Sequence, residues 1–369
     1  MLVNKIRVRV GGGRDYDILV GFGILGQLGR RIRRLGLRGK AFVITSPAIG
    51  KLYLRDLLKA LTRVGYRAIR VAYLQDVENN KSFSSYRRIM RQAVGFCASE
   101  DEKLFVVNLG GGVVGDLGGF VAATYRRGVD YVQVPTTLLA FVDCGIGGKS
   151  AVNLDGIKNT VGAFHQPRLV HADLDLLKTL SKREVRSALA EVVKHGVIRS
   201  PGLFDLVESH VDKVFSLNRE VMTQVVLTNY RIKADIVRRD EFETKGIRTV
   251  LNYGHTIGHA VESASRYAYR HGEAVSIGMV CANDIAVELA MLDRSVAARI
   301  ENLLIRIGLP VRIKNHDLAR IMHFFWMDKK FVNGKNRFVL ATGIGKTRIR
   351  EGVPLRLVER VVRNRFTTS

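Results

Sequence analysis

The chain has 369 residues, 47% of them hydrophobic, with 59 Lys+Arg against 34 Asp+Glu and a formal net charge of +25. This length supports two domains, each with its own core. No apolar run approaches the roughly 20 residues of a membrane-spanning helix. The basic residues are scattered, without a basic tail or a known nucleic-acid motif, which argues against nucleic-acid binding as the primary role and leaves an organism-wide basic bias or attraction of anionic substrates as readings of the charge.

In chain order, "MLVNKIRVRV" alternates charged and β-branched residues and reads as a strand, with no apolar segment of a signal peptide. "YDILVGFG", "KAFVITS", "YRAIRVAYL" and "KLFVVNLGGG" read as further strands. Between them, "LGQLGRRIRRLG", "LYLRDLLKALTRVG" and "SYRRIMRQAVGFC" show the three-to-four-residue apolar spacing of helices. This alternation implies a parallel α/β sheet. Beyond about residue 175 the pattern is mostly helical, with long amphipathic segments from "KREVRSALAEVVKHGVI" to "SVAARIENLLIRIG". The expected boundary lies in "FHQPRLVHADLDLLKTLSKRE", where Pro167 interrupts regular structure and Ser181 can cap the next helix. The expected domains are therefore an α/β nucleotide-binding domain, 1–175, and an all-α domain, 176–369. Cys97, Cys144 and Cys281 are widely spaced and odd in number, as expected of reduced thiols in a cytoplasmic protein.

Three segments carry chemistry. "VVNLGGGVVGDLGGFVA" follows an apolar strand with glycines and a helix start, so backbone N–H groups can approach a phosphate at the positive end of the helix dipole. The alternative is a tight turn. Asp76, Glu78 and Lys81 follow an earlier strand and could meet a ribose and a diphosphate. The glycines come after several strands, unlike the standard dinucleotide fingerprint, so a different nucleotide-binding arrangement is expected. Next, "YRRGVDYVQVPTTLLAFVDCGIGGKSAVNLDGIKNTVGAFHQP" gathers Arg126, Arg127, Lys149 and Lys158 among glycines, with Thr136 and Thr137 after a strand and Asp143 and Asn159 as polar partners. That combination reads as a phosphate site. Finally, "LNYGHTIGHAVE" sets His255 and His259 one helical turn apart, on one face, with Thr256 where a zinc protease would carry its glutamate. Glu191 lies in an apolar helix, where a carboxylate requires a partner or a metal, and His195 and His271 are further candidate ligands. Spacing alone does not select among them.

Taken together, "GGGVVGDLGGF", "YRRG", "VPTTLLAFVD", "GGKSAVN", "GIKNTVGAFHQP", "LAEVVKHG", "LNYGHTIGHAVE" and "HGEAVSIGM" resemble the 3-dehydroquinate synthases of the sugar phosphate cyclase superfamily, in order, from about Asp76 to Lys330. The resemblance implies a dehydroquinate synthase-like fold, NAD, one divalent metal (zinc or cobalt), a site between the domains and a homodimer. It implies metal ligation by Glu191, His255 and His271. NAD contacts carry over to Asp76, Glu78 and Lys81, to Gly112, Val113, Val114, Gly115 and Asp116 as a loop, to Thr136, Thr137, Asp143, Lys149 and Lys158, and to the stretch ending at Thr179. Substrate contacts carry over to Lys149, Asn159, Lys194, Lys233, Arg248, Asn252, His259 and Lys330, and Arg127 is similar to an arginine reaching the phosphate across the dimer. The implied reaction converts 3-deoxy-D-arabino-heptulosonate 7-phosphate to 3-dehydroquinate and phosphate, within the shikimate route to chorismate and the aromatic amino acids.

Departures are small: Ser150 stands where threonine is common, Cys144 where serine or alanine is usual, an extra residue precedes Arg248, which leaves the role of Glu243 open, and "SRYAYRHGEA" is one residue short. The competing readings are another sugar phosphate cyclase, a metal-dependent polyol dehydrogenase, or a basic nucleic-acid-binding protein. A substrate carboxylate calls for cationic donors, for which Lys233 and Arg248 are the candidates.

Overall fold

Alternate residues of the buried strands face opposite ways, and this alternation builds the first unit. A computed structural model describes every residue except 1, 98, 100, 156, 267, 315, 328–334 and 368–369. The described chain divides into two compact units, Met1–Leu180 with Met222–Phe242, and Ser181–Val221 with Glu243–Ser369. The expected boundary near 175 therefore has a return: most of the helix Arg219–Arg239 belongs to the first unit.

The strands of the first unit are β1 (Val3–Val8), β2 (Tyr16–Gly21), β3 (Lys40–Thr45), β4 (Ile69–Tyr73), β5 (Leu104–Gly110), β6 (Tyr131–Pro135), β7 (Lys149–Leu154), β8 (Ile157–Phe164) and β9 (Leu169–Asp173). Seven of them form one sheet in the order β1-β2-β9-β6-β5-β3-β4, parallel throughout except for the β1–β2 pair. Ala41, Val43, Phe105, Val107 and Leu109 pack on one face with Leu28 and Ile32 of the helix Leu28–Arg34 and Leu57 and Leu61 of the helix Arg55–Thr62. Phe42, Ile44, Leu104 and Val106 pack on the other with Ile89 of Phe83–Val94 and Leu117 and Val121 of Gly112–Thr124. A period-2 strand apolar on both sides requires helices on both faces, and the sequence supplies them. The strands β7 and β8 form a separate antiparallel hairpin, which the apolar pattern had not indicated because β8 is largely exposed.

The second unit is helical, as expected, apart from a two-stranded hairpin of β10 (Arg337–Gly343) and β11 (Lys346–Glu351). Three of its helices, Lys182–Arg199, His255–Ala264 and His271–Glu288, approach one another through glycines. A Cβ on Gly272 would stand 1.7 Å from the carbonyl oxygen of Ser187, and one on Gly278 would stand 1.8 Å from that of Gly254. Gly254 itself adopts φ +77°, a left-handed conformation that also carries the chain into the histidine helix. Among the described residues, no helix is long and apolar enough to cross a membrane.

Candidate metal centre and nucleotide-binding residues

Glu191 organises the second unit's site. It is 0% exposed, and neither carboxylate oxygen makes a hydrogen bond among the described residues, although the Lys194 ammonium lies against Oε2. Nε2 of His271 is 3.4 Å and Nε2 of His255 is 3.6 Å from Oε1. The close helix packing brings these three groups together: a buried stretch of Lys182–Arg199 presents Glu191, while the first residues of the other two helices present the imidazoles. Nδ1 of His255 is 3.0 Å from the Tyr253 carbonyl oxygen, which accepts its proton and leaves Nε2 as the lone-pair nitrogen facing Glu191. Tyr253 is in turn anchored by its hydroxyl, which donates to Asn283 Oδ1 at 2.6 Å.

Burial alone would raise the Glu191 carboxyl, but Lys194, His255 and His271 outweigh it and hold the group well below the usual carboxylate range. For His271, burial opposes the charge, while Glu191 and Glu262 outweigh it and lift the imidazole to about 10. The enclosure attracts positive charge. One buried carboxylate oxygen facing two imidazole nitrogens is a donor set suited to zinc or cobalt, with these three atoms within 4.8 Å of one another. The residues fit a divalent metal.

His259 lies one turn from His255 on the same face, with ring centroids 5.1 Å apart, and 6.0 Å from the ring of His271. His195 is fully buried on the Glu191 helix and does not join the Glu191–His255–His271 group. Lys194 and Arg248 are buried in the same unit, and Asn252 closes the short 3₁₀ helix Ile247–Asn252 that carries Arg248. Lys330 lies outside the described residues. Sequence reasoning passed over Glu262, which stands with His259 and His271 in a second group of potential ligands. Its signal was present: His255, His259 and Glu262 are spaced i, i+4, i+7 along one helix face.

In the first unit, Gly112–Asp116 is not a loop, as expected, but the first turn of the helix Gly112–Thr124. The glycine to its N-terminal side donates its backbone N–H to Asp76 Oδ2 at 2.7 Å. Some glycines here serve packing: a Cβ on Gly118 would stand 2.0 Å from Asn108 Oδ1 on β5, and one on Gly115 would stand 2.6 Å from Gln133 Nε2 on β6. At Gly112 the nearest atom would be Cys144 Sγ at 3.2 Å. Lys81 is buried and bonds both Asp116 and Asn159. Burial disfavours its charge, but Asp116 and Glu78 outweigh that and keep the ammonium above its ordinary value. Glu78 Oε1 accepts from Asn153 Nδ2 at 2.9 Å, and Asn153 Oδ1 accepts from the Asn159 backbone at 2.9 Å. Asn153, part of "GGKSAVN", is a further member of this cluster that had not been singled out.

Thr136 is buried just beyond β6, and Thr137 Oγ1 accepts from the backbone of Ala140 at 3.2 Å. Thr179 Oγ1 is 2.7 Å from the Tyr53 hydroxyl. Lys149 opens β7 and Lys158 lies on β8. Val113 and Val114 belong to the first turn after Gly111, and Val114 is buried in the core. Arg126 is a structural anchor, donating to the carbonyls of Glu102 at 2.7 Å and Ser99 at 2.6 Å. Arg127 is exposed at φ +65° with no partner among the described residues. Lys233 pairs with Asp143, within the first unit, whereas Arg248 belongs to the second.

The family profile described as 3-dehydroquinate synthase N-terminal matches residues 71–187, and the one described as 3-dehydroquinate synthase C-terminal matches residues 188–331. The chain belongs to the 3-dehydroquinate synthase family. It is 44% identical to the 3-dehydroquinate synthase of Pelotomaculum thermopropionicum, over 93% of this chain and 92% of that one. It is 42% identical to that of Crocosphaera subtropica, over 94% and 95%. Among solved structures, a 2-epi-5-epi-valiolone synthase from Streptomyces hygroscopicus, with NAD+ and Zn2+ bound, matches with TM-score 0.87 and 25% identity, over 97% of this chain and 99% of that one. A 2-deoxy-scyllo-inosose synthase complexed with carbaglucose-6-phosphate, NAD+ and Co2+ shares the fold, with TM-score 0.89 and 24% identity over 98% and 100%. The family membership spans both units, including the Glu191–His255–His271 group and the glycine-rich helix start.

Proposed function

We propose that Glu191, His255 and His271 hold the divalent metal of a 3-dehydroquinate synthase, and that the chain converts 3-deoxy-D-arabino-heptulosonate 7-phosphate to 3-dehydroquinate and phosphate. The observation that carries this reading is the buried Glu191 carboxylate, whose Oε1 faces Nε2 of two histidines and makes no hydrogen bond among the described residues. When bound, the metal supplies polarisation of a substrate alcohol, and NAD supplies a reversible hydride acceptor, so the net reaction is not redox. The chain's own residues orient and hold. The Tyr253 carbonyl fixes the tautomer of His255, and Lys194 places a positive charge beside Glu191. Asp76 holds the glycine backbone before the helix Gly112–Thr124, and Lys81, assigned with Asp76 and Asp116 to NAD, ties that helix to Asn159, which is assigned to the substrate.

Arg248 and Lys233 are assigned to the substrate, Arg248 to its carboxylate. The second reading, another sugar phosphate cyclase, has the shared fold of the valiolone synthase behind it, at 25% identity against 44% to a 3-dehydroquinate synthase. Phosphate release with the heptulosonate phosphate, sedoheptulose 7-phosphate and glucose 6-phosphate, each with and without NAD and a chelator, separates the two. Preference for a sugar phosphate lacking the carboxylate would sink the dehydroquinate assignment. His255→Ala should lose bound metal and turnover while remaining folded. Arg248→Ala should lose turnover of the acid by about two to four decades while metal and NAD binding persist.

The exposed Arg127 is assigned to the phosphate site of a second copy, in a homodimer; sedimentation of the wild type tests the dimer, and phosphate-release assays of Arg127→Ala test the contact. Three cysteines without disulfides accord with a cytoplasmic enzyme.

A further inference from the structure

The two imidazoles that face Glu191 are held from behind by different chemistry. His255 turns its Nδ1 to a neutral backbone carbonyl, that of Tyr253, at 3.0 Å. His271 turns its Nδ1 to Oε2 of Glu262, at 3.6 Å, an ion-pair separation. Among the described residues, no other acceptor is recorded at that nitrogen. The Glu262 side chain is 8% exposed, on the same helix face as His255 and His259. A buried carboxylate beside an imidazole selects the tautomer protonated on Nδ1. It therefore turns the Nε2 lone pair outward and makes it a better donor.

We propose that Glu262 is a positioning residue for the metal: it orients and polarises His271, whose Nε2 faces Glu191, and it is not itself a ligand. The inference rests on the ligand assignment proposed above. It accounts for a buried acid seven residues after His255, since a buried carboxylate requires a partner. It also resolves the rival grouping of His259, Glu262 and His271. In that grouping Glu262 would have to compete for the nitrogen of His271 that lies away from Glu191.

The test uses full-length protein stripped with a chelator and titrated with Co2+ and with Zn2+ in competition with a chelating dye. The cobalt absorption spectrum is recorded at saturation, and urea unfolding of each metal-free form serves as the control for folding. Glu262→Gln keeps size and an acceptor but removes the charge, whereas Glu262→Leu removes both. Metal affinity should fall about tenfold to a hundredfold in Glu262→Gln and further in Glu262→Leu. The cobalt spectrum of saturated Glu262→Gln should keep the wild-type band pattern, because the ligands are the same. Wild-type affinity in a folded Glu262→Gln would overturn the proposal, leaving Glu262 a structural acid only. A changed ligand-field pattern would also overturn it, by making Glu262 a ligand. His255→Ala distinguishes the underlying reading: if that variant binds Co2+ as tightly as the wild type, the ligand assignment fails and the proposal with it. If Glu262→Leu does not fold, the Glu262→Gln comparison decides.

Discussion

The Lys233 ammonium lies 2.7 Å from Oδ1 of Asp143, so a residue assigned to the substrate is bonded to one assigned to the cofactor. Lys233 is buried and Asp143 is partly so. The pair therefore contributes to the stability of the first unit as well as to ligand binding. Lys233→Met should lower stability by about 2 kcal/mol, the scale of a hydrogen bond to a charged group. Asp143→Asn should lower it by less, since an acceptor remains. A double-mutant cycle by urea unfolding should show coupling of about 1 kcal/mol or more. Additive losses would mean that the two side chains do not support each other.

Two helical glycines should respond in opposite ways to the same change. Gly272→Ala would place a methyl group 1.7 Å from the Ser187 backbone oxygen, so the helices that carry Glu191 and His271 would have to separate. A loss of about 1–3 kcal/mol is expected, together with weaker metal binding. In the helix Pro201–Ser209, Gly202 has nothing within 4 Å of an added Cβ, and alanine there should stabilise the protein by about 0.5–1 kcal/mol. Thermal unfolding of the two variants checks both signs.

Stability should fall with acid through His171. Burial in β9 drives its imidazole from the ordinary 6.5 down to about 4, while Nε2 is 2.9 Å from the Ile24 carbonyl oxygen. The unfolded chain takes up a proton near pH 6.5 and the folded chain only near pH 4, so protonation favours unfolding throughout that window. The contribution is complete above pH 6.5 and is lost progressively as the pH falls towards 4, reaching about 3 kcal/mol in all. His171→Gln keeps a donor for Ile24 and should lose less stability between pH 7 and pH 5 than the wild type, by about 2 kcal/mol. Equal acid sensitivity in urea titrations would assign the effect to other groups.

Near the C-terminus, Arg365 clasps Asp284 of the helix His271–Glu288 at 2.6 and 2.7 Å and Glu301 of the helix Arg294–Ile307 at 2.5 and 3.0 Å. Two carboxylates gripped by one planar guanidinium require its fork geometry, which lysine lacks. Arg365→Lys should therefore lower the unfolding midpoint nearly as much as Arg365→Met, and moderate salt should change the wild-type value little, because the arginine side chain is only 11% exposed. A lysine variant as stable as the wild type would show that charge alone suffices.

Much of this protein was legible without coordinates. The alternation of apolar strands with amphipathic helices indicates the parallel sheet, since a strand apolar on both sides must be covered on both sides. The i, i+4 histidines and an acid in an apolar helix indicate the candidate metal residues, because helical periodicity is a local property. Ordered motifs from about Asp76 to Lys330 carry the family resemblance. Local pattern could not choose Glu191 over His195 as the partner of His255 and His271, because that depends on which face of Lys182–Arg199 meets the other two helices, and the meeting is set by close contacts at Gly254, Gly272 and Gly278. Nor could it show that Lys81 bonds Asp116 and Asn159, residues far apart in the chain, or that the helix Arg219–Arg239 returns to the first unit and sets Lys233 against Asp143. Residue type and period are written into short stretches of sequence, but the partner of each buried charge is decided only when distant segments are packed together.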